Sequence, residues 1–189
     1  MTDGHEPLAA GDIVQLLLTQ HTRIRELFAQ VREASGPAKE RLFGELRQLL
    51  VSHEAAEEMI VRPVTRAAAT GGKVAAERNS EESDATRLLA GLEQMGTSSP
   101  QFDTELARLE ASVAAHAQRE ESDEFPLLLA TRSQQQRAAM GVAFRVAQLV
   151  APTHPHVSAA GSTLAQYVLG PVASVLDHAR DAAARLMPG

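Results

Sequence analysis

The chain has 189 residues, of which 44% are hydrophobic and 22% are charged, and its formal net charge is −6. This length and composition suit one globular domain that buries its own core. Because the chain has no cysteine, the sequence excludes disulfides, iron–sulfur clusters, thiol nucleophiles and thiolate metal sites. Any metal must therefore be bound by histidine and carboxylate side chains.

The charge and the aromatic content also disfavour some partners. A negative chain with five Phe, one Tyr and no Trp offers little to a phosphate backbone or to stacked bases. The start, MTDGHEPLAAGDI, lacks the basic and apolar regions of a signal peptide, and no apolar stretch approaches the roughly 18 residues of a membrane span. We therefore expect a cytoplasmic protein with no nucleic-acid partner and no membrane partner.

The composition of the long segments predicts an all-α protein. Ala, Leu, Glu, Arg and Gln fill these segments, and runs of β-branched residues are missing. Clusters of glycine, proline and serine separate the segments. The predicted helices run at about 11–34, 38–69, 73–95, 101–130, 133–150 and 162–186, the last bent or interrupted near Gly170-Pro171.

Three of the first four segments carry core-facing rows whose members are three and four residues apart, as bundle helices do. Histidine interrupts each apolar row. The rows are Val14, Leu17, His21, Ile24, Phe28 and Val31; Leu42, Leu46, Leu49, His53, Glu57, Ile60 and Val64; and Phe102, Leu106, Leu109, Val113, His116, Glu120, Asp123 and Leu127. The row of the third segment is weaker and turns acidic, from Leu92, Leu88 and Ala85 back to Glu81 and Glu77.

Two of the rows contain an internal repeat. HEAAEEMIVRP (53–63) and HAQREESDEFP (116–126) share the histidine, the Glu-Glu pair and the proline. Residues four apart on a helix lie one above the other, so His53 with Glu57, and His116 with Glu120, each offer a nitrogen and an oxygen to one point. Burying these groups without a partner would cost several kcal/mol per charge. The repeat therefore indicates a metal site inside a helical bundle, built from histidines and carboxylates.

With these motifs, residues 11–130 resemble the hemerythrin-like family, the HHE cation-binding domain proteins. The resemblance implies an antiparallel up-and-down four-helix bundle, here residues 1–130, that holds a non-haem iron pair; manganese and zinc are the alternative metals. Residues 131–189 then form a C-terminal helical extension. The ligands that the resemblance implies are His21 from the first helix, His53 and Glu57 from the second, and His116 and Glu120 from the fourth.

The third helix departs from the family pattern, which places a histidine there, because 73–95 contains none. Counting back along the row from Leu92 and Leu88 leads to Glu81. A register that passes through Leu89 leads instead to Glu82, with Arg78 one turn before it. An arginine beside a cation is unfavourable, so we favour Glu81 as the replacement ligand. A carboxylate there favours ferric iron or manganese over reversible O₂ carriage.

The residues around the repeat receive structural roles. Glu54 lies about 100° from the core-facing row, so we expect a flanking surface acid, with a bridging ligand as the alternative. Glu58 and Glu121 are expected to orient neighbouring side chains. Pro63 and Pro126 are expected to kink or end their helices.

The function stays open between three classes at this stage. A binding or sensor module would take up O₂, peroxide, nitric oxide or iron. An enzyme would consume peroxide at an open coordination position. A metal-free helical scaffold is the third class, because one family ligand is missing. The apolar stripe from Leu164 to Leu186 must be buried against the bundle or against a second copy in a homodimer.

Overall fold

The computed structural model describes residues 11–67, 84–151 and 153–155, and all regular structure in these ranges is helical. The helices are α1 (Ile13–Glu33), α2 (Gly36–Ile60), α3 (Arg62–Arg66), α4 (84–95), α5 (Phe102–Arg119), α6 (Phe125–Thr131) and α7 (Gln134–Val150), with a π-helical turn at Glu120–Glu124 between α5 and α6. None of these helices is long and apolar enough to cross a membrane. The predicted all-α class is confirmed, whereas the predicted helix at 162–186 lies outside the described residues.

Prolines divide the two longest predicted segments, as expected. Pro63 lies in the first turn of α3 and Pro126 in the first turn of α6. A proline has no N–H to donate and its ring clashes with the preceding turn, so it is best tolerated in the first turn of a helix. Pro63 follows a break in the helix at Val61, whereas Pro126 follows the π-helical turn of a helical run that continues from Phe102 to Thr131.

The π-helical turn corrects the predicted row of the fourth segment. A π turn holds more residues than an α turn, so the row moves by one position after Glu120. Asp123 is exposed and Leu127 only half-buried, while Glu124 and Leu128 are fully buried instead. The prediction of Asp123 and Leu127 as core-facing residues is therefore wrong.

Two hydrophobic clusters form the core, and the histidines lie between them. The first cluster contains Phe28, Leu46, Leu92, Phe102 and Leu106, among others from α1, α2, α4 and α5. The second contains Leu17, Ala56, Phe125, Leu128 and Phe144, from α1, α2, α6 and α7. Along α1, His21 follows Leu17 of the second cluster and precedes Ile24 of the first. The polar side chains thus form a layer with apolar packing on both sides.

The first helix of the predicted extension packs on the bundle within this chain. Phe144 of α7 is fully buried in the second cluster. Nε of Arg137 donates to Oδ2 of Asp12 at 2.7 Å. Oδ1 of Asp12 in turn accepts from the backbone N–H of Val14 at 3.0 Å and caps the N-terminus of α1. Because residues 156–189 lie outside the described residues, a homodimer through the C-terminal helices stays a prediction.

Replacing Gly141 with alanine is expected to destabilise the protein, because a Cβ at this position of α7 would lie 2.1 Å from the carbonyl oxygen of Gly11. Such overpacking costs about 1–3 kcal/mol. Gly44→Ala in α2 is the matched control, since nothing lies within 4 Å of its new Cβ. We expect it to stabilise the helix by about 0.5–1 kcal/mol. Urea unfolding measures both variants, and equal midpoints would refute the close approach of α7 to the start of α1.

Candidate metal centre

Five residues that are predicted to face the core, one from the first helix and four from the repeat, come together in the polar layer. Exposure of each of these residues is 4% or less: His21 from α1, His53 and Glu57 from α2, His116 from α5, and Glu120 from the π-helical turn. Helix phase alone explains this meeting, because each residue occupies a position that faces the centre of the bundle.

Their ligand atoms form two overlapping groups. One atom each from His21, His53, Glu57 and Glu120 lie within 4.8 Å of one another, and so do atoms of Glu54, Glu57 and His116. Glu57 belongs to both groups. Nitrogen and carboxylate oxygen at these separations could hold a metal ion in each group.

Glu54 is not the flanking surface acid that the sequence predicts. Its side chain is only 21% exposed, and Oε2 lies 3.6 Å from Nε2 of His116. The prediction fails because it measures the angle of Glu54 from a single row, whereas a bundle helix has a neighbour on each side. On the side of Glu54 that neighbour is α5, which carries His116.

Hydrogen bonds to Nδ1 orient two of the histidines. Nδ1 of His21 donates to Oε1 of Glu121 at 2.8 Å, and Nδ1 of His53 donates to Oε1 of Gln20 at 2.8 Å. Gln20 also exchanges hydrogen bonds of 2.9 and 3.1 Å with Gln148 of α7. Both rings therefore present Nε2 to the cluster, as metal-binding histidines usually do. Glu121 acts as predicted, whereas Gln20 and Gln148 are not marked by any pattern in the sequence.

The three histidines differ in their pKa values. Burial lowers the pKa of His53 to about 4, so its ring is neutral at pH 7. Burial acts in the same direction on His21 and His116, but carboxylates outweigh it. Glu120 and Glu121 raise the pKa of His21, and Glu54 and Glu120 raise the pKa of His116 well above its usual value. Protons would therefore compete with a metal ion for these two histidines.

Glu57 is the least compensated carboxylate of the cluster. Burial raises its pKa well above the usual value, and Glu120 and Glu54 raise it further. Neither of its oxygens has a hydrogen-bond partner among the described residues. At Glu120, by contrast, His116 outweighs burial and holds the pKa well below the usual value. A buried carboxylate without a hydrogen-bond partner, beside inward-facing histidines, fits a cation.

A buried arginine lies beneath the carboxylates. Arg62 is fully buried, and its Nη1 donates to Oε1 of Glu124 at 2.5 Å. Its Nη2 lies 3.4 Å from Oε1 of Glu120 and 4.0 Å from Oε2 of Glu57. Thr65 donates from Oγ1 to the same oxygen of Glu124 at 3.3 Å. Arg62 and Glu124 are absent from the predicted site, although both lie within the repeat, at positions where its two copies differ.

A cavity of about 170 Å³ adjoins the cluster between α1 and α5. His21, His53 and His116 line its inner part, and Ile24, Phe28 and Val113 contribute apolar walls. Exposed Arg25 and Ala114 also line it, so the cavity reaches the surface between these two helices. It has room for a molecule of a few atoms.

Both candidates for the predicted ligand from the segment 73–95, Glu81 and Glu82, lie outside the described residues. Glu81 is favoured because Arg78 accompanies the alternative register. Arg62, however, lies 3.4 Å from Glu120, so a nearby arginine does not by itself disqualify a ligand position. The choice of Glu81 over Glu82 stays a prediction.

This chain belongs to the hemerythrin HHE cation-binding domain family, whose sequence model matches residues 12–128. A crystal structure of a hemerythrin HHE cation-binding domain-containing protein from Mycobacterium kansasii superposes with a TM-score of 0.65 at 23% identity, covering 73% of this chain and 85% of that one. The family resemblance and the bundle fold are thus confirmed.

A longer relative also matches in sequence. A protein from Nostoc sp. named "DNA nickase" is 26% identical over 138 residues, which are 72% of this chain and 39% of that protein. The chain thus spans well under half of the length of this relative.

Proposed function

We propose that this protein binds a pair of iron ions at His21, His53, Glu57, His116 and Glu120, with Glu54 as a further ligand. The observation that carries the proposal is the sharing of Glu57 between two groups of potential ligand atoms. Mixed imidazole and carboxylate ligands suit iron and manganese, and zinc also accepts them. The family description supports a cation at this place.

We propose further that the centre handles a small uncharged molecule such as O₂, peroxide or nitric oxide. The cavity supports this choice, since it is small, largely apolar and in contact with three histidines of the cluster. Bound iron supplies the redox chemistry. The protein's own contribution is to fix the imidazole rings through Glu121 and Gln20, and to surround the site with apolar packing on both sides.

A role on DNA is not part of the proposal, although one relative carries the name of a nickase. The formal net charge of −6 opposes binding to a phosphate backbone. A mobility-shift titration with duplex DNA at about 0.15 M salt is expected to show no complex, and a shifted band would reopen that role.

Metal analysis and an optical spectrum, on protein purified anaerobically and then exposed to air, test the proposed centre. We expect about two iron ions per chain and the absorption of a ferric pair after exposure. Glu57→Gln is expected to lose most of the iron. Glu58→Gln is the matched control, because Glu58 is a half-buried neighbour that belongs to neither ligand group, and it is expected to keep the iron.

The same preparation separates the remaining alternatives. Wild-type protein that binds no metal would establish the scaffold class, and sustained turnover of hydrogen peroxide would establish the enzyme class.

Glu81→Ala is expected to reduce iron occupancy, whereas Glu82→Ala leaves it unchanged; the reverse result would assign Glu82 as the ligand from the segment 73–95. An oxygenated form that releases O₂ under vacuum over repeated cycles would refute the expectation that a carboxylate ligand favours the ferric state.

A further inference from the structure

The two copies of the repeat differ at neighbouring positions, and the differing residues bind each other. Superposing 53–63 on 116–126 places Arg62 opposite Phe125, and Val61 opposite Glu124. Phe125 and Val61 are buried in the second hydrophobic cluster. Arg62 and Glu124 form a buried ion pair at 2.5 Å. Each copy of the repeat therefore has an apolar residue at the position where the other copy has one member of the Arg62–Glu124 pair.

The guanidinium of Arg62 contacts both this partner and the candidate metal ligands. Nη1 faces Glu124, while Nη2 faces Glu120 at 3.4 Å and Glu57 at 4.0 Å. The side chain is fully buried, so water does not screen these contacts. Arginine keeps its charge under all conditions in which proteins fold. A fixed positive charge therefore lies beside two carboxylates that would hold cations.

We propose that Arg62 is a permanent counter-cation of the metal centre and that Glu124 limits how strongly it acts on Glu120 and Glu57. The inference rests on the proposed metal site. Without metal, Arg62 neutralises part of the charge of the two carboxylates and stabilises the folded chain. When cations bind, the same positive charge repels them. Arg62 thus lowers the affinity of the centre for cations and stabilises the metal-free protein.

Two variants with opposite expected effects test this role in the full-length chain, with Mn(II) as the probe. Glu124→Gln removes the carboxylate that draws Arg62 away from the ligands, so Mn(II) affinity is expected to fall about tenfold. Arg62→Phe with Glu124→Val gives each position the residue of the other repeat copy and removes both charges, so affinity is expected to rise about tenfold. Replacing both partners of a buried pair with apolar residues is usually tolerated.

Free Mn(II), measured by electron paramagnetic resonance, gives the dissociation constants, and circular dichroism checks the fold of each metal-free variant. Affinities that shift in the same direction, or not at all, would overturn the role of Arg62 while leaving the metal site intact. If the double variant does not fold, Glu124→Gln alone decides, since an unchanged or higher affinity contradicts the proposal. Wild-type protein that binds neither Mn(II) nor iron would instead refute the proposed function itself.

Discussion

Glu57→Gln is expected to raise the melting temperature of the metal-free protein and to abolish the further rise that metal produces in the wild type. Both oxygens of Glu57 are fully buried without a hydrogen-bond partner among the described residues. Leaving such a group unsatisfied costs about 1–3 kcal/mol, which the neutral amide reduces. The loss of metal stabilisation is larger, about 2.7 kcal/mol when the metal is at a hundredfold excess over Kd.

The difference in melting temperature between metal-free wild type and Glu57→Gln is expected to shrink as the pH falls. Burial raises the pKa of Glu57 in the folded state above that in the unfolded chain. Ionised Glu57 therefore destabilises the folded state. This destabilisation is fully present above the folded pKa and disappears as the pH falls to the unfolded pKa. Metal-free wild type and Glu57→Gln are thus expected to converge in melting temperature on acidification.

Thermal melts with EDTA, and with added Mn(II), measure both effects. Glu58→Gln serves as the control and is expected to follow the wild type in each condition. A metal-free Glu57→Gln protein that melts below the wild type, or one that keeps the full rise with Mn(II), would contradict the assignment of Glu57 as the shared ligand.

The second large effect concerns the cavity. Ala114 lies at the exposed end of the cavity lining. With Ala114→Trp, the iron-loaded, reduced protein is expected to react with O₂ or peroxide about tenfold more slowly, because entry then requires side-chain movement. Ala111→Trp is the control, since Ala111 is exposed on the same helix and does not line the cavity. Stopped-flow absorbance measures the rates. Equal rates in the two variants would place the entry route elsewhere.

Periodicity predicts the centre of the site because every helix carries a regular phase. His21, His53 and His116 interrupt apolar rows, and a group on such a row faces the middle of a bundle whatever the details of packing. The repeat adds Glu57 and Glu120 by the four-residue spacing. These residues meet in the structure for the reason that the sequence suggests.

The surroundings of the site escape prediction because they depend on contacts between distant segments. Gln20 meets Gln148 across 128 residues of sequence, and nothing local marks either residue. Glu54 faces inward because α5 lies beside it. Arg62 is a charged residue in an apolar run, and only the structure shows that Glu124 from the other repeat copy neutralises it. Periodicity gives the direction of a side chain, but not its partner.

The π-helical turn at Glu120–Glu124 makes the spacing of this segment as important as its composition. If the turn became α-helical with no change in its length, everything that follows would rotate by about 100°. Glu124 would then turn away from Arg62, and Phe125 and Leu128 away from the second cluster. Deleting one exposed residue of the turn, such as Ser122, would instead give a continuous α-helix that keeps the present phase. A single deletion here is therefore expected to be better tolerated in related sequences than an insertion or a longer deletion.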